Sequence, residues 1–386
     1  MSTHVEPAPF SIGVPQTVLD DLRARLAATR WPDEIPGIGW DQGASLEYLQ
    51  SLVATWRNDF DWRAEEKRLN ELHHFRATID GLGIHFVHER GRGPAPLPLV
   101  LTHGWPSTFA EYLTLIPLLT DPAAHGGDAA DAFDVVVPSL PGYGFSDRPR
   151  AAGIVNTAIA GLWCKLMDSL GYRRFGAHGS DIGAGVTTRL GLRHPDRVAG
   201  IHLSSPAFPI PPQPWTRAEE QFLAAEERWE LSEGAYSAIH ATKPQTLGYG
   251  LTDSPAGLAA WVTEKFRAWS DCGGDVESRL SRGWLLTNLT IYWATQTITS
   301  STRLYWDYRH HGTPLTADDP IRTPTGLAIF ANDFCPPGRP PRELAERYYN
   351  VQRWTEFPRG GHFPALEEPE LLARELREFF RPFRPE

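Results

Sequence analysis

The spacing of apolar residues changes along the chain. Residues 18–26 carry an apolar side chain every three or four positions, the period of an amphipathic helix, and residues 46–53 do the same. From about residue 76 the chain instead carries short apolar runs, as at 97–102 and 133–138, between helical stretches. Such alternation predicts the strands of a mostly parallel sheet. Strand character stops after residue 204 and returns at 326–331.

These changes predict an α/β fold in which a helical insertion interrupts the core. The amino-terminal region is rich in tryptophan, which suggests that it packs onto a larger unit. The predicted segments are an N-terminal helical region packing on core and lid (1–75), the first part of the α/β core (76–205), a helical lid (206–320) and the second part of the core (321–386).

One helix start has a sequence signature of its own. Thr108 and Glu111 have the spacing of a capping box, in which each side chain bonds a backbone N–H of the other residue. Apolar Tyr112, Leu115 and Ile116 follow at helical spacing. We therefore predict that a helix begins at Thr108.

The most informative motif is Gly179-Ser180-Asp181-Ile182-Gly183, at the end of a predicted strand and the start of a predicted helix. It has the form of a nucleophile elbow, with a carboxylate where esterases carry serine. The helix amino terminus behind Asp181 favours an anion, so an aspartate there stays ionised and nucleophilic. Ser180 is not the centre of such a turn, because that would require glycine at positions 178 and 182, which are His178 and Ile182. The alternative is that Asp181 only caps a helix.

A second motif, His103-Gly104-Trp105-Pro106, follows the strand predicted at 97–102. In this architecture such a loop supplies one N–H of an oxyanion hole, and the residue after the nucleophile supplies the other. The expected donors are the backbone N–H groups of Trp105 and Ile182. The Trp105–Pro106 bond is a candidate for the cis form.

The remaining chemistry comes late in the chain. His362 lies in a Gly-Gly-His-Phe loop after the last predicted strand, where a general base is expected. Asp333 directly follows the strand at 326–331 and is the preferred acid to orient that histidine. Glu367 and Glu368 are nearer in sequence and are the alternative. The order of nucleophile, acid and histidine matches that of the α/β hydrolases.

Composition excludes several classes of partner. A net charge of −10 and a pI near 5.8 argue against a nucleic acid or an anionic membrane surface. Cys164, Cys272 and Cys335 are far apart and form no paired motif, which argues against a disulfide framework or a metal site and favours a cytoplasmic protein. The few lysines among the basic residues indicate a GC-rich bacterial source. No cofactor is implied by the motifs.

From about residue 6 to 382, the chain resembles the microsomal-type epoxide hydrolases. The resemblance rests on the His-Gly-Trp-Pro loop, the Gly-Gly-His-Phe ending and the lid stretches 241–248, 253–260 and 286–301. It implies an α/β-hydrolase fold and the conversion of an epoxide and water to a vicinal diol through an ester on Asp181. The abundant lid aromatics favour an apolar or aromatic substrate. The amino-terminal arm would also suit a homodimer.

The same resemblance implies two lid tyrosines, Tyr236 and Tyr305, that donate to the epoxide oxygen. A phenol stays protonated at neutral pH and can donate to a developing alkoxide, whichever tyrosine carries it. Spacing alone does not single out these two, and nearby Tyr249, Tyr292 and Tyr308 remain rivals.

The sequence departs from the family at three points, one of which is the acid, Asp333, where some relatives carry glutamate. Ile182 stands where several relatives have tryptophan, and the anchoring helix of the membrane-bound relatives is missing, which favours a soluble enzyme. A haloalkane dehalogenase also uses an elbow aspartate, but the halide usually needs that tryptophan. A catalytically silent binding protein is the other alternative, against which the set of Asp181, Asp333 and His362 argues. Both detoxification and secondary-metabolite biosynthesis are compatible with a bacterial source.

Overall fold

A computed structural model describes residues 6–333 and 339–384. Its centre is one sheet in the order β1-β2-β3-β5-β4-β6-β7-β8-β9. The strands are β1 (Ala8–Pro9), β2 (His74–Ile79), β3 (Leu82–Glu89), β4 (Leu97–Thr102), β5 (Phe133–Pro138), β6 (Phe175–Ser180), β7 (Val198–Ser204), β8 (Ile321–Phe330) and β9 (Tyr349–Phe357). Strands β4 to β9 run parallel to one another. Strands β1, β2 and β3 pair antiparallel at one edge of the sheet. The predicted α/β fold with a mostly parallel sheet is confirmed.

Helices surround this sheet and fill the stretch between β7 and β8. They are α1 (Gln16–Ala27), α2 (Leu46–Asn58), α3 (Trp62–Leu69), α4 (Leu115–Thr120), α5 (Asn156–Ser169), α6 (Ile182–Arg193), α7 (Arg217–Glu233), α8 (Ala235–Thr242), α9 (Pro244–Asp253), α10 (Pro255–Trp269), α11 (Arg282–Thr295), α12 (Ile298–His311), α13 (Arg342–Glu346), α14 (Pro364–Glu367) and α15 (Pro369–Phe380). None of the helices in the described ranges is both long and apolar enough to cross a bilayer.

The core forms where helices cover strands that are buried along their whole length. Strand β5 is buried at every position, as expected for a parallel strand with elements on both faces. Helix α6 packs on β6 and β7, and α15 packs on β7 and β8. A glycine makes the second contact close: a Cβ on Gly326 of β8 would lie 2.8 Å from the Phe379 ring of α15. This packing fixes the ends of the central strands, where the candidate chemistry lies.

The amino-terminal region packs against the chain's own lid. Trp56 Nε1 donates to Thr290 Oγ1 on α11 at 2.9 Å. The Arg267 guanidinium lies 4.6 Å above the Trp40 ring, so α10 also contacts this region. Trp40 and Trp56 thus make their contacts within the chain, and the homodimer stays a prediction. This region is also not purely helical, because β1 pairs with β2 at the edge of the sheet.

The prediction of a capping box at Thr108 is wrong, because the two reciprocal hydrogen bonds do not form. Thr108 accepts a hydrogen bond from the backbone N–H of Ala110, and only a short 3-10 helix, Phe109–Tyr112, follows. Glu111 is buried instead of capping, and burial raises its pKa to about 7. The apolar Leu115 and Ile116 belong to the separate helix α4. The spacing was that of a cap, but tertiary packing drew the carboxyl group inward.

Candidate active site

The candidate residues lie on five loops at the carboxyl-terminal ends of the parallel strands. Each loop follows the carboxyl end of one of the adjacent parallel strands β4, β6, β7, β8 and β9. In open α/β sheets, ligands bind at the carboxyl ends of the strands. The residues in that strand order are Trp105, Asp181, Ser205, Asp333 and His362.

Asp181 occupies the turn between β6 and α6. Its φ of 56° lies in the left-handed region, which costs free energy for a residue with a side chain. The flanking glycines are required by close backbone approaches: a Cβ on Gly183 would lie 1.9 Å from the Thr102 carbonyl oxygen, and one on Gly179 would lie 2.1 Å from the Gly183 oxygen. The motif therefore describes a tight strand–helix turn that holds Asp181 at its tip.

The loop after β4 presents a donor to this carboxylate. The Trp105 N–H donates to Asp181 Oδ1 at 3.0 Å, and the Trp105–Pro106 bond is cis as predicted. Gly104 allows the approach, because a Cβ there would lie 2.4 Å from the same oxygen. Ile182 is the first residue of α6, and a backbone N–H at this position has no acceptor within its own helix. Both expected oxyanion donors thus adjoin Asp181.

His362 lies between two carboxylates. Its Nε2 is 3.4 Å from Asp181 Oδ2, and its Nδ1 is 3.0 Å from Asp333 Oδ1. The imidazole is 2% exposed, so both contacts are shielded from solvent. Burial by itself lowers the pKa of His362, but Asp333 and Asp181 outweigh it and raise that pKa to about 10. While Asp181 is ionised, His362 therefore carries a proton at neutral pH.

Ser205, which the sequence reasoning missed, holds the acid in place. It follows β7, has a φ of 50°, and its hydroxyl donates to Asp333 Oδ2. The other oxygen of Asp333 is left for His362. A serine after a buried strand carries no distinctive sequence signal, because its partner is 128 residues away.

The alternative acids have other tasks. Glu367 accepts from the backbone N–H groups of Gly361 and Phe363, on either side of His362, and so supports the histidine loop. Glu368 bonds Arg279 and Arg359. The structure therefore places Asp333, rather than either glutamate, against the His362 ring.

Tyr236 on α8 and Tyr305 on α12 face Asp181 from the lid. Their ring centroids are 6.1 Å apart, and both rings contact the ring of Trp105. Burial raises the pKa of Tyr305 well above its ordinary value, and Tyr236 and Asp181 add to the effect. The Tyr305 hydroxyl therefore keeps its proton as a donor should.

The rival tyrosines are placed differently. Tyr249 is 73% exposed, and Tyr292 donates its hydroxyl to the Ser107 carbonyl at 3.0 Å. Tyr308 is 49% exposed, although it does line the edge of the same cavity. Tyr236 is buried, Tyr305 is partly buried, and both line the cavity that Asp181 also lines, as the expected donors should.

A cavity of about 730 Å³ connects these groups. Asp181, Tyr236 and Tyr305 line it, and apolar wall comes from Ile182 and Phe208 among others. Tryptophan contributes no lining residue in the described part of the chain, so the Trp-rich lid acts as a core behind the cavity. In residues 6–333 and 339–384 no three His, Cys, Asp or Glu side chains converge as metal ligands do.

Sequence comparison agrees with this geometry. Residues 7–112 match the family model "Epoxide hydrolase N terminus", and residues 98–231 match "alpha/beta hydrolase fold". The chain is 46% identical over 380 residues to a protein of Stigmatella aurantiaca named "Putative epoxide hydrolase", an alignment that covers 97% of this chain and 85% of the other. The chain belongs to the epoxide hydrolase family.

Other members of the epoxide hydrolase family match over similar lengths. Epoxide hydrolase 1 of Sus scrofa is 35% identical over 402 residues, covering 96% of this chain and 88% of the relative. The solved structure of Aspergillus niger epoxide hydrolase superposes with a TM-score of 0.86 at 31% identity, covering 99% of this chain and 97% of that one. The resemblance inferred from the motifs is confirmed, and the haloalkane dehalogenase alternative is not favoured.

Proposed function

We propose that this epoxide hydrolase opens an epoxide with the Asp181 carboxylate and releases a vicinal diol by hydrolysis of the resulting ester. One observation carries the proposal: a single carboxylate accepts from the Trp105 N–H, adjoins His362, and shares a cavity with two lid phenols, Tyr236 and Tyr305. Family membership supports the reaction, and the geometry supports the residue roles.

Ring opening uses Asp181 and the two tyrosines. Tyr236 and Tyr305 donate to the epoxide oxygen, and Asp181 Oδ2 attacks a ring carbon from the opposite side. The ring C–O bond breaks, and the oxygen takes a proton from a tyrosine. Because Oδ1 is held by the Trp105 N–H, Oδ2 is the oxygen available for attack.

Ester formation prepares the base for the second step. The ester is neutral, so His362 loses one of the two negative charges that raise its pKa. The proton of His362 then moves to the tyrosinate and restores the phenol. Formation of the ester thus produces the neutral imidazole that the hydrolysis step requires, and Asp333 still orients its ring.

Hydrolysis completes the cycle. His362 takes a proton from water, whose oxygen attacks the carboxyl carbon of the ester. The charge that develops on Oδ1 is stabilised by the Trp105 and Ile182 N–H groups, and one such donor contributes about 3–4 kcal/mol. Collapse breaks the bond between that carbon and the oxygen joined to the product. The departing alkoxide takes the remaining proton of the attacking water and leaves as the diol. Asp181 is then a carboxylate again, and His362 is protonated again.

The cavity and the cysteines support a substrate class and a cellular setting. Apolar residues such as Phe208 and Leu315 line the cavity, which supports an epoxide with an apolar or aromatic body. Cys164 and Cys272 are buried and free, in keeping with a reducing cytoplasm. Cys335 lies outside the described residues.

Incubation with styrene oxide and with 1-chlorobutane tests the activity. We expect phenylethanediol from the first and no chloride from the second, with Asp181→Ala inactive. Ser180→Ala is the matched control beside it and should keep turnover, because the Ser180 hydroxyl only approaches the His362 carbonyl at 3.5 Å. Chloride release would support the dehalogenase, and no product from either compound would support a silent binding protein.

A further inference from the structure

One buried cation in the cavity wall has no role in the mechanism above. Arg189 lies on α6, eight residues beyond the nucleophile, and is 5% exposed. It lines the same cavity as Asp181. Its Nη2 donates to the backbone carbonyl of Thr313, and among residues 6–333 and 339–384 no aspartate or glutamate lies within ion-pair distance of it.

A buried arginine without an acid is unusual. Arginine is rarely buried unless paired, because removing its charge from water is costly. Its guanidinium has five donors, and a single carbonyl uses one of them. Other partly buried arginines of this chain do pair with carboxylates, as in Arg347–Glu219, Arg353–Glu375 and Arg279–Glu368. An anion is therefore the chemical group that would pair with Arg189.

The cavity around it is more basic than the protein as a whole. In the described chain Asp181 is the one carboxylate that lines the cavity, against two arginines, Arg189 and the exposed Arg309. The chain itself carries a net charge of −10. A positive cavity in a negative protein favours an anionic ligand.

A second donor lies beside the guanidinium. Thr188 Oγ1 and the Tyr349 hydroxyl are 3.0 Å apart, and both residues line the cavity next to Arg189. If Thr188 donates in this bond, the Tyr349 proton is available to a ligand. Burial raises the pKa of Tyr349 to about 12, so the hydroxyl keeps that proton at neutral pH.

We propose that Arg189, with Tyr349, binds a carboxylate at the far end of the substrate, so that this enzyme acts on epoxides whose apolar chain ends in a carboxylate. Eight residues of helix span about 12 Å, which separates that carboxylate from Asp181 and leaves room for an apolar chain between them. The inference deepens the proposed function and depends on it. The competing view is that Arg189 only anchors the loop at Thr313.

The test compares the terminal epoxide of undecenoic acid with its methyl ester, which differs in charge but hardly in length. We expect Arg189→Met to lower kcat/KM for the acid about 10- to 100-fold, the range for loss of a charge-assisted hydrogen bond. The value for the ester should change less than about 3-fold, and Arg189→Lys should recover part of the loss. Arg193→Met, at an exposed arginine of the same helix that does not line the cavity, is the matched control and should affect both substrates little.

Four outcomes separate the possibilities. Equal losses on acid and ester would mean that Arg189 only supports the cavity wall, and no loss on either would mean that it binds nothing; each overturns the inference. If the wild-type enzyme hydrolyses styrene oxide but neither the acid nor the ester, the inference fails alone, whereas no hydrolysis of any of the three means that the proposed function itself fails.

Inhibition of the wild-type enzyme decides the matter if Arg189→Met does not fold. We expect undecanoate to compete with styrene oxide at least 10-fold more strongly than methyl undecanoate does. Equal inhibition by the two compounds would overturn the inference.

Discussion

His362 Nε2 lies 3.4 Å from Asp181 Oδ2, so the base is part of the nucleophile's own environment. The ionised Asp181 raises the pKa of His362 and helps to keep it protonated. Conversion of Asp181 to an ester removes this effect, so His362 can lose its proton. The two half-reactions are therefore coupled electrostatically, with no need for a change in conformation. Asp333 Oδ1 lies 3.0 Å from Nδ1 of His362 and keeps the ring in one orientation.

This coupling predicts how the pKa of His362 responds to the charge of Asp181. Asp181 raises that pKa, so Asp181→Asn, which removes the charge but not the shape, should lower it from about 10 toward neutral pH. The measurement is an NMR titration of the His362 ring. Asp318→Asn, at an exposed aspartate, should leave the titration unchanged. An unchanged pKa in Asp181→Asn would remove the coupling from the account.

His362→Gln should stop the reaction at the ester. Glutamine cannot take the proton from water, whereas ring opening needs only Asp181 and the tyrosines. Intact-protein mass spectrometry should therefore show a mass gain equal to that of the substrate. His310→Gln, at an exposed histidine, should show no such species. Normal steady-state turnover by His362→Gln would show that another group is the base.

The lid phenols should be partly redundant. Tyr305→Phe or Tyr236→Phe alone removes one of two donors to the epoxide oxygen and should lower kcat about 10- to 100-fold, somewhat less than the usual loss for an isolated donor. The double variant should be nearly inactive. Tyr308→Phe removes a hydroxyl from the half-exposed edge of the same cavity and serves as the control. Equal effects of Tyr308→Phe and Tyr305→Phe would argue against the assigned donors.

Gly104→Ala should inactivate the enzyme through the position of Asp181. The added Cβ would lie 2.4 Å from Asp181 Oδ1, so the carboxylate must move, and displacement by about 1 Å can cost about 100-fold in rate. Gly161→Ala in α5 is the matched change, because a Cβ there meets nothing within 4 Å. It should keep activity and leave Tm equal or higher, since alanine favours a helix interior. Full activity in Gly104→Ala would contradict the close approach.

The sequence predicted those parts of the site that have a local steric cause. The elbow is readable because close backbone approaches demand glycine at 179 and 183, and β5 is readable because it is buried on both faces. Ser205 and Arg189 were not readable, because each acquires its meaning from a partner or cavity wall distant in sequence.

Two local interpretations failed for the same reason. The cap expected at Thr108 did not form because burial of Glu111 outweighed local spacing. The interpretation of residues 1–75 as helical missed strand β1. This strand has only two residues, too few to show a period, and forms because it pairs with β2. Local patterns thus located the chemistry, whereas long-range packing determined what supports it.

The central claim is that Asp181 bonds covalently to the substrate, and oxygen-18 water tests it most directly. In a single turnover with enzyme in excess, the oxygen of water replaces Asp181 Oδ2, and the original Oδ2 leaves in the diol. We therefore expect the label in the peptide that contains Asp181 and an unlabelled first diol. Label in that diol, with Asp181 unlabelled, would mean that water attacks the epoxide directly and would contradict the account.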